Sequence, residues 1–215
     1  MSIGWSFQSA QGGKVYGINE SGIEIFKGTP YKSLAREICQ NSLDAVNDTD
    51  IPVEVHFQAF DLLTDEYPDG TSFLNALDLI KEFYKTRPIG KAVKILERSI
   101  GLFSGNAIKC LRISDFNTLG LVGASEPENH FTPWSNLVKS SGVSDDRDTS
   151  GGSFGIGKSA PFACSELRTV IYSTRDTEGC CATQGVARLI SFKTPDGEIA
   201  TGMAGLYARF SSGYV

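Results

Sequence analysis

The chain has 215 residues, 25 acidic against 20 basic side chains, a formal net charge of −5 and 40% hydrophobic content. That length supports one domain with a real core. The acidic balance argues against a surface that coats nucleic-acid phosphates, which needs concentrated Lys and Arg.

No apolar run is long enough to span a bilayer as a helix. The N-terminus, MSIGWSFQSAQGGK, has neither the basic start nor the apolar stretch of a signal peptide. The five cysteines are an odd number with no CxxC pair, which fits reduced thiols and a cytoplasmic location. With only His56 and His130, a histidine-rich metal site is excluded.

In chain order, residues 1–28 read as irregular, with short extended pieces near 15–18 and 22–26. A helix follows, with Thr29 as N-cap and Pro30 at its first position. Leu34, Ile38, Ser42 or Leu43, Ala45 and Val46 recur at helical spacing to about residue 47. Residues 53–60 alternate as a strand, with Val53, Val55, Phe57 and Ala59 on one side. The stretch 61–105 reads as a helical excursion with helices near 72–84 and 90–100. Residues 107–114 form an apolar strand ending at Asp115. After it, 116–150 is polar and turn-rich, with a short helix near 134–139. Strands at 167–174 and 184–192 are joined by a hairpin through Asp176–Gly179, a turn lies at 194–197, and a further element begins near 206. The alternation is that of an α/β layer architecture.

The sharpest local signal is Gly151-Gly152-Ser153-Phe154-Gly155-Ile156-Gly157-Lys158-Ser159. Clustered glycines let backbone N–H groups converge on an anion, a following helix start adds positive potential, and Lys158 adds a charge. Gly152-x4-Gly157-Lys158-Ser159 also satisfies the P-loop pattern, and Gly155-Ile156-Gly157-x-x-Ala160 resembles half of a dinucleotide fingerprint. Both patterns require a strand just before the glycines. Here the preceding segment, SSGVSDDRDTSGG, is polar loop, and Pro161 leaves room for a short helix only. A second signal lies on the first long helix. Glu37 and Asn41 are i,i+4 and share a face, an arrangement that an ordinary polar helix face also produces.

Taken together, Glu37-x-x-x-Asn41-x-x-Asp44-Ala45, Asp115-Phe116-Asn117-Thr118-Leu119-Gly120 and the glycine segment resemble the three motifs of the GHKL ATPases (gyrase, Hsp90, histidine kinase, MutL), closest to the MORC and Hsp90-like branch. The second motif departs from Asp-x-Gly-x-Gly: Asn117 replaces the first glycine, and Gly120 comes one residue late. Asn tolerates the left-handed backbone better than most residues.

The resemblance implies the Bergerat fold, a two-layer α/β sandwich with a mixed, mainly antiparallel sheet. One ATP-binding domain would cover 1–215, with a helical insertion at about 61–105 and an ATP lid at about 120–151, as the N-terminal part of a longer protein. It implies ATP and Mg2+ as cofactors, with Asn41 on the metal and Glu37 activating water. Asp115 would take the adenine amino group, with Thr169 at the adenine edge. Asp44, Ala45, Asn117 and Gly120 would shape the pocket, and Gly152, Phe154, Gly155, Ile156, Gly157, Lys158 and Ser159 would surround the phosphates. The activity expected is slow ATP hydrolysis that gates lid closure and homodimerisation and drives attached domains. DNA or protein partners would bind through regions outside this chain, and no membrane is involved. The alternatives are an ATP-binding switch without turnover or a chaperone-like module. A P-loop NTPase stands further off. So does a histidine kinase, since neither histidine has the setting of a phosphoacceptor.

Overall fold

The computed structural model describes residues 4–13, 15–17, 19–85, 90–126, 128–139 and 156–208. Its regular elements, in chain order, are β1 (Trp5–Ser9), α1 (Ser21–Glu24), α2 (Pro30–Asp44), β2 (Glu54–Leu63), α3 (Gly70–Lys85), α4 (Gly90–Leu102) and β3 (Ala107–Phe116). They continue with α5 (Pro133–Val138), α6 (Ala160–Cys164), β4 (Thr169–Arg175), β5 (Cys181–Arg188), β6 (Phe192–Lys193) and β7 (Ile199–Ala208). Short 3-10 turns lie at Thr64–Glu66 and Gly157–Ser159.

The described strands form two sheets. One has five strands in the order β1-β7-β5-β4, with β6 added on β7, and the other is the β2–β3 ribbon. Every pairing among the described strands is antiparallel, where the expectation is a mixed, mainly antiparallel sheet. The molecule is thus a mixed α/β domain with helices layered on antiparallel sheets.

Strand alternation decides which layer each residue meets. Gly185 and Ala187 of β5 stand opposite Leu206 and Ala204 of β7. Ala187, Ala204 and Leu206 belong to the main core with Phe73, Leu77 and Ile80 of α3 and Leu96 of α4. Val186, between them, points the other way into a second core with Ile23 of α1, Trp134 and Val138 of α5 and Phe162 of α6. The excursion foreseen at 61–105 therefore covers one face of the larger sheet. The Gly157–Ser159 turn and α6 lie on the other.

Four local expectations are corrected. Residues 22–26 are not extended: Ser21–Glu24 form α1, which buries Ile23 fully. Thr29 occupies the N-cap position of α2 without a side-chain cap bond; its hydroxyl lies 3.3 Å from that of Ser33. The helix stops at Asp44 rather than 47, since Val46 turns away to bridge Thr118. The expected strand 184–192 divides into β5 and β6, because Leu189 and Ser191 donate their N–H groups to Gly202 and Tyr16 instead of continuing the ladder.

Phe73, with no exposed surface, packs its ring against Trp5, Tyr67 and Phe103 at centroid distances of 5.1, 5.3 and 6.0 Å. Phe73→Ala is expected to lower unfolding free energy by about 3–5 kcal/mol, measured by urea titration. A loss below about 1 kcal/mol would remove Phe73 from the centre of the core.

Candidate functional site

Helix α2 brings the first motif to the glycine turn. Leu34 buries one side of the helix, and its neighbour in space is α6, directly behind Gly157–Ser159. Glu37 is half-buried. A Cβ built on Gly157 would collide with its Oε2 and lie 3.0 Å from its Cδ. The carboxylate therefore occupies the space that a side chain at position 157 would fill. Asn41 and Asp44, one and two turns further along, are exposed, and Ala45 is the half-buried C-cap.

Asp115 stands near the end of β3, opposite Val55 of β2, and Phe57 stands opposite Ile113. Opposed residues share a face, so Asp115 borders an apolar strip of Val55, Phe57 and Ile113. Phe57 is 47% exposed. The expected apolar face of β2 is real, but at this end it borders open space rather than the core. Ser42, almost fully buried on α2, donates from Oγ to Asp115 Oδ2 at 3.0 Å. This hydroxyl was missed in the sequence because it reads there as one of two candidates for the helix's buried stripe.

A seam ties the second motif to the end of α2. Asn117 adopts φ 59°, a left-handed conformation that asparagine enters more readily than most residues. Its amide donates from Nδ2 to the carbonyls of Asp48 (2.8 Å) and Ile51 (2.6 Å), and its Oδ1 accepts from Asp48 N–H at 3.1 Å. Leu119 N–H donates to Ala45 O at 2.8 Å, and Asn47 N–H to Asn117 O at 3.0 Å. Gly120, at φ 69°, is wedged against the β4–β5 hairpin: a Cβ there would lie 2.7 Å from Arg175 O. The next residue, Leu121, donates its N–H to Thr174 Oγ1 at 2.8 Å.

Thr174, not Thr169, is the threonine of β4 that meets this loop. Thr169 is paired with Ala187 and so lies on the α3–α4 face, its hydroxyl donating to Leu167 O at 3.0 Å. Position along the strand drew attention to Thr169, and the parity of the pleat separates the two.

Of the glycine segment, Gly152, Phe154 and Gly155 lie outside the described residues. Ile156 leads into the turn, half-buried. Lys158 Nζ donates to Asn136 O at 3.2 Å, and burial, followed by repulsion from Arg188, holds its amine below the usual lysine range. Ser159 is buried and its Oγ accepts from Arg188 at 3.0 Å.

Among the described residues no group of three or more His, Cys, Asp or Glu is placed to hold a metal. The donor chemistry still suits Mg2+ of the substrate-carried kind, which takes one or two protein oxygens and completes its shell with phosphates and water. Asn41 offers such an oxygen on the face of Glu37. The Gly157 turn brings the Glu37 carboxylate against its backbone, and Asp115 offers a held acceptor beside an apolar strip. These residues fit a Mg2+-nucleotide. No family model, curated protein or solved structure matches the chain.

The seam gives a stability test. Asn117→Ala loses three side-chain hydrogen bonds and places a Cβ in left-handed backbone, whereas Asn117→Gly loses only the bonds. The alanine variant is expected to be about 1 kcal/mol less stable than the glycine variant, and both less stable than wild type, by thermal or urea unfolding. Equal stability of the two variants would refute the strained-backbone account.

Proposed function

We propose that this chain is an ATP-binding and ATP-hydrolysing domain of the GHKL type, with a Bergerat-like pocket bounded by α2, the Asp115–Gly120 loop and the Gly157–Ser159 turn. The observation that carries the reading is the approach of Glu37 to Gly157. It joins the base of the first motif to the anion turn of the third, two segments far apart in sequence.

In this reading the adenine ring lies along Val55, Phe57 and Ile113, and its amino group donates to Asp115. Ser42, by holding Oδ2, fixes the carboxylate so that its orientation need not be won on binding. The N–H groups of the turn and the Lys158 ammonium hold the outer phosphates. Asn41 would hold Mg2+, which when bound neutralises charge on the phosphate oxygens. Glu37 orients a water molecule and accepts its proton as the water oxygen bonds to the γ-phosphorus. The bond from that phosphorus to the β–γ bridging oxygen breaks, leaving ADP and inorganic phosphate. Turnover is slow, and nucleotide occupancy gates homodimerisation and the movement of attached domains.

Phosphate release measured with ATP and Mg2+ tests the chemistry. Glu37→Ala is expected to lower kcat about a hundredfold or more while a fluorescent ATP analogue still binds. Hydrolysis equal in wild type and variant would exclude Glu37 as the base. Binding without hydrolysis in the wild type would favour the switch without turnover. Asp115→Asn is expected to weaken ATP binding about ten- to a hundredfold, the worth of a hydrogen bond to a charged acceptor, and unchanged affinity would move the base elsewhere.

Gly157→Ala separates geometry from fold. Its Cβ meets the end of a flexible side chain, so the melting temperature is expected to stay within a few degrees of wild type. The displaced Glu37 carboxylate should nevertheless lower phosphate release about tenfold or more. Full activity in this variant would show that the Glu37–Gly157 approach is incidental.

A further inference from the structure

Next to the turn a buried arginine has no part in the reading above. Arg188 ends β5 with its side chain 7% exposed. Its guanidinium lies over the Phe162 ring, 4.1 Å from the centroid. One terminal nitrogen, NH1, donates both to Ser159 Oγ at 3.0 Å and to Glu20 Oε1 at 2.8 Å. Among the described residues its Nε is buried without a partner, as is the nearby Tyr172 hydroxyl.

The surrounding charges are ordered. Lys27 pairs with Glu24. Glu24 and Glu20 both act on Arg168, and Glu20 reaches Arg188. The signs alternate along this run from the N-terminal segment until the turn, where Arg188 and Lys158 stand together as like charges. A cavity of about 20 Å3, lined in part by Glu20, Arg168 and Arg188, leaves room for about one water molecule. The guanidinium is thus clamped by Phe162 and Glu20, and the group it holds is the hydroxyl of the last residue of the turn.

We propose that Arg188 is a positioning residue for phosphate binding: clamped between Phe162 and Glu20, its guanidinium holds Ser159 and so sets the Gly157–Ser159 turn around the outer phosphates. This rests on the ATPase reading. Arg188 touches no phosphate itself. Lysine at this position keeps the charge but lacks the planar fork that stacks on a ring while bonding two oxygens. Removing the Ser159 hydroxyl breaks the same link from the other end.

The test compares ATP hydrolysis at saturating Mg2+ in wild type, Arg188→Lys, Ser159→Ala, the double variant and Glu37→Ala. The first two substitutions are expected to raise KM for ATP about tenfold, the worth of one charge-assisted hydrogen bond, with kcat reduced less than about threefold. The double variant should be no worse than the poorer single variant, because both changes break one link. Glu37→Ala should show the opposite split, with kcat lost and KM kept. Unchanged KM in Arg188→Lys and Ser159→Ala, or a loss confined to kcat in proportion to unfolded protein, would overturn the positioning role while leaving the ATPase reading intact. A multiplicative loss in the double variant would overturn it too, because the two residues would then act separately. Should the wild type neither bind nor hydrolyse ATP, the ATPase reading falls, and this inference with it.

Discussion

The arrangement of the candidate site depends on one constraint, the left-handed backbone at Asn117. Through it the chain leaves β3, turns under the end of α2 and returns toward the β4–β5 hairpin. The side chain that permits the turn also locks it, since its amide satisfies three backbone groups between Asp48 and Ile51. A glycine there would make the turn and leave those groups to water. The helix end then has no freedom of its own: Ala45 gives its carbonyl to Leu119, and the helix that carries Glu37, Asn41 and Ser42 is fixed relative to Asp115.

From that seam the polar groups sort by depth. Asn41, Asp44 and Asp115 are exposed, Glu37 and Lys158 are half-buried, and Ser42, Ser159 and Arg188 are buried. The outer groups can meet a ligand from solvent, and the buried groups hold them in place. Small hydroxyls serve for this inner role. A serine can be enclosed once its single donor is satisfied, whereas a buried charge needs a full set of partners. Arg188 is the exception, with its Nε left unmet among the described residues.

Much of this was legible in the sequence, and unevenly so. The long helices and the β3 strand were readable because amphipathic periodicity survives over many residues, and α3, α4 and β3 fall close to their expected bounds. The pairing of the strands was not, since a strand carries no mark of which neighbour it takes. That is why one mixed, mainly antiparallel sheet was expected where the described strands form two antiparallel sheets. The site residues Glu37, Asp115 and Gly157 stood out by type and spacing. Ser42 and Arg188 did not, because a buried serine and a strand arginine look ordinary until their partners are seen. Thr169 and Thr174 could be told apart only through the register with β5, which fixes the face each one meets.

The division of the strands into a five-stranded sheet and a separate β2–β3 ribbon has a mechanical consequence. Asp115 belongs to the ribbon, whereas Gly157–Ser159 belong to the layer resting on the larger sheet. A ligand long enough to touch both is therefore a crossbar between two separately laddered parts. In the proposed reading the nucleotide is that crossbar, added to the seam that Asn117 and Leu119 already make with the end of α2.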